Sequence, residues 1–221
     1  MRFVVLDTET TGRSFFQGDR LIEIGACKYD DRVLVEEYHC YINPQCKVSE
    51  GALRVHGLSD QFLKDKQLFA EVADSFLEFI SGCVLVIHNA QFDLGFLDNE
   101  LGECGLSKLT GSYEVVDTLA MARKIYPGQR NNLDALCKRL GVDNRQRTKH
   151  GALLDARLLA EVYLIMTSKQ NALKLAGFEK NKELAGAKQI AYKNFVKAAN
   201  SAEIIEHKEF YKNILPEFDV F

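Results

Sequence analysis

The sequence predicts an α/β domain over residues 1–167, a mixed five-stranded sheet flanked by helices, with a tail of different character behind it. Apolar and β-branched runs joined by short connections fill the first 42 residues, strand-like and helical patterns alternate after them, and the sustained apolar period fades from Ser168 onward.

Phe3–Leu6 is a short apolar run of buried-strand type, Leu21–Tyr29 is rich in apolar and β-branched residues, and 33–42 alternates loosely. Three consecutive strands with short connections make an antiparallel meander. A helical pattern over 68–80 precedes the apolar run 83–87, a helix follows over 91–101, and Val115–Val116 supplies a fifth strand. Strands that alternate with helices join the sheet in parallel. Further helices are expected over 118–125, stopped by Pro127 and Gly128; over 132–140, with Gly141 placed as a C′ glycine; and over 152–166. The stretch 168–200 reads as a flexible linker, being small and polar. In 201–221, Ile204, Tyr211 and Leu215 share one helical face behind Asn200 as a candidate cap, and such a segment needs a partner surface.

The 221 residues suffice for one catalytic domain and a modest appendage. An apolar share of 47% and a charged share of 27% exclude a disordered chain. No apolar run is long enough to span a bilayer, and Met1 leads directly into strand residues and acids, so a cytoplasmic protein without membrane contact is expected. The six cysteines form no C-x-x-C pair and read as reduced thiols. Nine lysines face seven acids after residue 167, which leaves 19 basic against 24 acidic residues before it. An acidic body does not suggest nucleic acid on charge alone, but carboxylates gathered to hold divalent cations reconcile the two.

Asp7 and Glu9 follow the first strand, and alternation across a strand sends residues two apart to one face. Like charges held that close raise one another's pKa unless a cation neutralises them, and Mg²⁺ accepts carboxylate oxygens in this way. Solvated turn acids are the plain alternative for an Asp-x-Glu taken alone. Asp93 starts a helix just after the 83–87 strand, where ligands gather in open sheets, and Asp155 lies in the first turns of the last helix, where the helix dipole favours an anion. His150 stands five residues before Asp155, an offset of about 140° on a continuous helix. The two converge only if His150 lies on the preceding loop, a break Gly151 permits. An imidazole there can take a proton from a metal-bound water; a structural histidine is the alternative.

Asp7-Thr8-Glu9-Thr10-Thr11-Gly12, His88-Asn89-Ala90-Gln91-Phe92-Asp93 and His150 with Asp155 resemble, in order and spacing, the three exonuclease motifs of the DEDDh superfamily. The flanking segments 22–26, 55–57, 132–136 and 160–163 look like the epsilon-subunit family of DNA polymerase III. The resemblance implies a ribonuclease H-like fold and hydrolysis of the 3′-terminal phosphodiester of DNA with two Mg²⁺ or Mn²⁺ ions. Asp7, Glu9 and Asp155 would hold one ion, Asp7 and Asp93 the second, and His150 would be the general base. Asp7, Thr8, Glu9, His56, Asn89 and Asp155 would contact substrate. One departure is Gly51, where family members often carry a glutamate, with Glu50 beside it. Phe92 is expected in the core.

Five basic residues between 138 and 149 (Lys138, Arg139, Arg145, Arg147, Lys149) suggest a loop that binds the phosphate backbone, with a solvated charge run as the alternative. Gln170, Leu173 and Leu175 resemble the glutamine-led peptide that enters the bacterial beta sliding clamp; Leu173 and Leu175 closing the helix packing is the bland reading. By resemblance, 201–221 docks on the polymerase III alpha subunit, and a small accessory subunit is left open. The rival functions are an RNA-trimming exonuclease of the same superfamily and a non-catalytic replisome adaptor.

Overall fold

The computed structural model describes residues 1–182, with side chains to Ser168. Strands β1 (Arg2–Thr10), β2 (Leu21–Asp30) and β3 (Val33–Tyr41) form the antiparallel meander, and β4 (Val84–Ile87) and β5 (Val115–Asp117) add to it in parallel. The order β3-β2-β1-β4-β5 places β1 at the centre. Helices α1 (Glu50–His56), α2 (Asp60–Leu63), α3 (Phe69–Ile80), α4 (Ala90–Glu103), α5 (Thr118–Ile125), α6 (Leu133–Leu140) and α7 (Ala152–Lys182) complete the described fold. Every strand and helix expected over residues 1–167 is present. The short α1 and α2 are additions, though each carries a legible signal: Ser49 and Ser59 cap them by accepting from the amides of Ala52 and Phe62, both at 3.2 Å. Gly57, at φ 78°, ends α1 in the left-handed conformation.

Alternation along β1 splits its side chains between two cores. Val4 and Leu6 join Phe76 and Ile80 of α3 and Leu97 and Leu101 of α4. Phe3 and Val5 face the other way, onto Leu136 and Cys137 of α6 and Leu159 and Val162 of α7. Asp7 and Glu9 continue the Phe3–Val5 face, so the alternation that buries the strand also aims both acids at the layer holding α7.

Glu100 of α4 is 2% exposed, and the Arg20 guanidinium just before β2 forks onto it at 2.7 and 2.6 Å. The amide of Leu21 adds a third bond at 3.2 Å. Arg20→Ala leaves a buried carboxylate with one backbone donor and is expected to cost about 3–5 kcal/mol. Chemical denaturation would show it as a lower midpoint at unchanged slope.

The tail departs from expectation. Helix α7 does not stop near residue 166 but continues to Lys182, so the first part of the expected linker, with Gln170, Leu173 and Leu175, is helical. A fading apolar stripe removes packing, not helix propensity, and Lys, Ala, Leu, Gln and Glu, all good helix formers, make up ten of the sixteen residues 167–182, with no proline. The first compact unit runs Met1–Ala176. Residues 183–221, and with them the expected docking segment, lie outside the described residues. Among the described residues no helix is long and apolar enough to cross a membrane.

Candidate active site

The carboxyl end of β1 is where the acids meet. Asp7 and Glu9 project from the central strand, Asp93 sits in the first turn of α4 directly after β4, and Asp155 in the first turn of α7. Ligand atoms of Glu9, His150 and Asp155 lie within 4.8 Å of one another. Asp93 and Asp155 are 4% and 2% exposed. His150 is on the loop before α7, as the 140° argument required, and its amide donates to the Val55 carbonyl of α1 at 3.2 Å.

Electrostatics reveal how tightly the charges are pressed together. Burial, then the charges of Asp93, Asp155 and Glu9, push the Asp7 carboxyl well above its ordinary value. Burial and the neighbouring Asp155 and Glu23 lift Glu9 to about 8. Asp93 is raised by burial to about 7, against the Thr8 hydroxyl, which donates to it at 2.7 Å. Asp155 is the exception: burial pulls it up, but hydrogen bonds from His150 and Arg147 hold it below its usual value. Such a cluster of oxygens plus one imidazole is the donor set that a divalent cation takes, and a cation would relieve the repulsion.

With chelator present, this repulsion predicts a pH dependence. An acid whose folded pKa is raised binds more protons in the native than in the unfolded state, so its contribution to stability is full below the unfolded value, 4.5 for Glu9, and is lost as pH rises through about 8. The EDTA-treated protein is therefore expected to melt lower at pH 8.5 than at pH 6, and Mn²⁺ at pH 8.5 to restore it. Thermal melts in both buffers check this; a melting temperature that climbs with pH in EDTA would contradict the clustering.

Arg147 is the residue the sequence reading misplaced. Its side chain is 7% exposed and its guanidinium forks onto Asp155 at 2.5 and 2.7 Å, reaching Asp134 at 2.7 Å as well. One of its terminal nitrogens lies 2.8 Å from Nδ1 of His150. That nitrogen also lies 3.3 Å from Asp155, and a ring that carries its proton on Nδ1, toward the carboxylate, keeps Nε2 free to accept another. Arg147 is thus spent inside the cluster. Arg139 is likewise engaged, on Asn131 and the Arg130 carbonyl, and Arg145 is paired with Asp143. The basic loop does not offer its arginines as a free phosphate surface, because sequence cannot show which charges are already matched.

A cleft of about 500 Å³ opens beside Glu9, lined among others by Arg13, Gln17, Ser49, Gly51, His56 and Phe92. His56 is 6% exposed; its Nδ1 accepts from the Leu58 amide at 3.0 Å, which leaves Nε2–H as a donor. That Nε2 has no hydrogen-bond partner of good geometry, the Thr10 carbonyl being near the ring without closing one. Burial lowers the His56 pKa, so the ring is neutral. Phe92 packs against the core and also lines this cleft, so the core reading was half of its environment. A side chain at Gly51 would meet nothing within 4 Å, so the cleft is wider there. Asn89 is exposed at φ 67° and caps α4 without a side-chain bond. Thr8 is turned to Asp93, which leaves its backbone as the part able to approach a ligand.

The family described as Exonuclease matches residues 4–163. The DNA polymerase III subunit epsilon of Rickettsia felis is 45% identical over 223 residues, covering 97% of each chain. The chain belongs to the DNA polymerase III epsilon-subunit family. The Salmonella typhimurium epsilon subunit is 50% identical over 182 residues, 79% of this chain and 75% of the relative. Among solved structures, exonuclease X in complex with 5′ overhanging duplex DNA superposes with a TM-score of 0.60 at 23% identity, over 76% of this chain and 93% of that one. The fold is thus the ribonuclease H-like fold of the DEDDh exonucleases, and the epsilon-family chain is a 3′-to-5′ exonuclease that works with divalent metal ions.

Proposed function

We propose that this epsilon-family chain proofreads for the bacterial replicative polymerase, hydrolysing the 3′-terminal phosphodiester of single-stranded or mismatched DNA and releasing 5′-mononucleotides. The observation that carries this reading is the convergence of Asp7, Glu9, Asp93, Asp155 and His150 beside a cleft of nucleotide size. Asp7, Glu9 and Asp155 would hold one Mg²⁺ or Mn²⁺, and Asp7 with Asp93 the second. Ions bound there would supply an activated water and offset the negative charge of the phosphodiester. His150, 45% exposed on its side chain, takes the proton of the attacking water at its ring, and the bond from its amide to the Val55 carbonyl anchors the loop that carries it. His56 donates from Nε2 to the terminal nucleotide, and the Thr8 backbone and Asn89 approach it. A mismatched end frays, so a nuclease that admits single strands samples errors without reading bases.

The polymerase alpha subunit is the partner expected for 201–221 and the sliding clamp for 170–175.

Labelled DNA and RNA oligomers of one sequence, with paired and mismatched 3′ ends, test the activity. Mononucleotide release from DNA that needs Mg²⁺ or Mn²⁺ is expected. Faster trimming of RNA would favour the RNA-processing alternative, and no release by folded protein with either metal would leave only the adaptor role.

A further inference from the structure

Eleven arginines fall within the described residues, and all but three make a side-chain hydrogen bond or ion pair there. The three are Arg13, Arg123 and Arg130. Arg13 lines the cleft beside Glu9. Arg123 and Arg130 line a second cleft, of about 570 Å³, at the carboxyl ends of β4 and β5. Unmatched guanidinium groups on an otherwise acidic body are thus confined to the two clefts that flank the carboxylates.

The second cleft has no acid in its lining, and Leu119 is its one apolar side chain. Its walls are His88 and Asn89 of the β4–α4 turn, Arg123 of α5, and Arg130 with Asn131 and Asn132 ahead of α6. Asn89 joins it to the acid cluster, since α4 begins at the next residue and carries Asp93 in its first turn. The wall bearing Arg130 is built rather than loose. Asn131, 7% exposed, donates to the carbonyls of Tyr126 and Gln129, and Arg139 stacks on Tyr126 while holding Asn131 and the Arg130 carbonyl. One arginine is spent on fixing the loop that presents another, which reduces the cost of ordering it around a ligand.

We propose that this cleft binds the sugar–phosphate backbone of the substrate strand on the 5′ side of the scissile bond, with Arg123 and Arg130 on phosphates and Asn89 and Asn132 on sugar or phosphate oxygens. The assignment rests on the exonuclease reading above. Sheet order supports the direction: β1 and its acids lie between the Glu9–His56 cleft, which takes the terminal nucleotide, and the β4–β5 cleft, toward which the rest of the strand leaves. Arginine is the side chain suited to phosphate, and such contacts position a strand without reading its sequence. A proofreader must accept any terminal base, so backbone contacts serve it.

The test is Arg123→Gln with Arg130→Gln in the full chain. For single-stranded DNA bound with Ca²⁺, each lost phosphate contact should flatten the log–log salt dependence by about 0.7, about 1.4 for both. With Mg²⁺, KM for an oligomer should rise about tenfold, kcat should change far less, and the KM rise should be much smaller for a dinucleotide, whose one phosphodiester ends at the carboxylates. Arg123→Lys with Arg130→Lys should recover most of the salt slope. An unchanged slope, an equal effect on dinucleotide and oligomer, or a defect seen with duplex only, which would hand the cleft to the complementary strand, overturns the proposal. Failure of the wild-type chain to cleave any oligomer would instead remove the exonuclease reading.

Discussion

Asp7→Ala is expected to lower metal-dependent mononucleotide release roughly a thousandfold or more, about 4 kcal/mol of transition-state stabilisation. Asp7 stands on the central strand, and its raised pKa, caused by burial and by the charges of Asp93, Asp155 and Glu9, marks it as the carboxylate that feels all the others. Removing it takes a ligand from both proposed ion positions. The same substitution relieves like-charge repulsion, so in EDTA at pH 8 the variant should melt no lower than the parent. Kinetics with Mg²⁺ and melts with chelator separate the two effects. Retained activity in a folded variant would remove Asp7 from the site.

Gly25→Val should be nearly as damaging, although this glycine bears no functional group. Gly25 of β2 is paired across the sheet with Asp7, and a Cβ there would lie 2.1 Å from the Leu153 nitrogen and 2.2 Å from the Ala152 carbonyl carbon. Both are backbone atoms of the first turn of α7, so the helix itself must move. Asp155 is carried two residues further on, and displacement of about 1 Å can cost a hundredfold in rate. The expected result is a kcat lower by about that factor, with about 1–3 kcal/mol of lost stability from overpacking. Activity within twofold of the parent would show that the start of α7 can shift without moving the carboxylate.

These two residues mark different degrees of legibility. Asp7 could be found by reading, because alternation on a strand and a partner two residues on are local rules. Gly25 could not, since the space it must leave is defined by a helix more than a hundred residues away. Arg147 is a harder case: it looked like part of a charge run, and only the folded chain shows it forked on Asp155 and Asp134. His56 had no local signature beyond its resemblance to the family, and its unmatched Nε2 becomes visible only once α1 packs beside Thr10.

The amino-acid order alone determined the five strands, the pairing sense of the sheet, the principal helices and the identity of the acids, because periodicity, caps and breakers act over a few residues. It misjudged the end of α7, where an apolar period and helix propensity part company. Tertiary structure alone decided which charges are already matched and which remain available: Arg139 and Arg147 are consumed within the fold, while Arg123 and Arg130 are left facing a cleft. The physical reason is that a charge acquires its role from partners within a few ångströms, and in this chain those partners are brought by strands and helices distant in sequence.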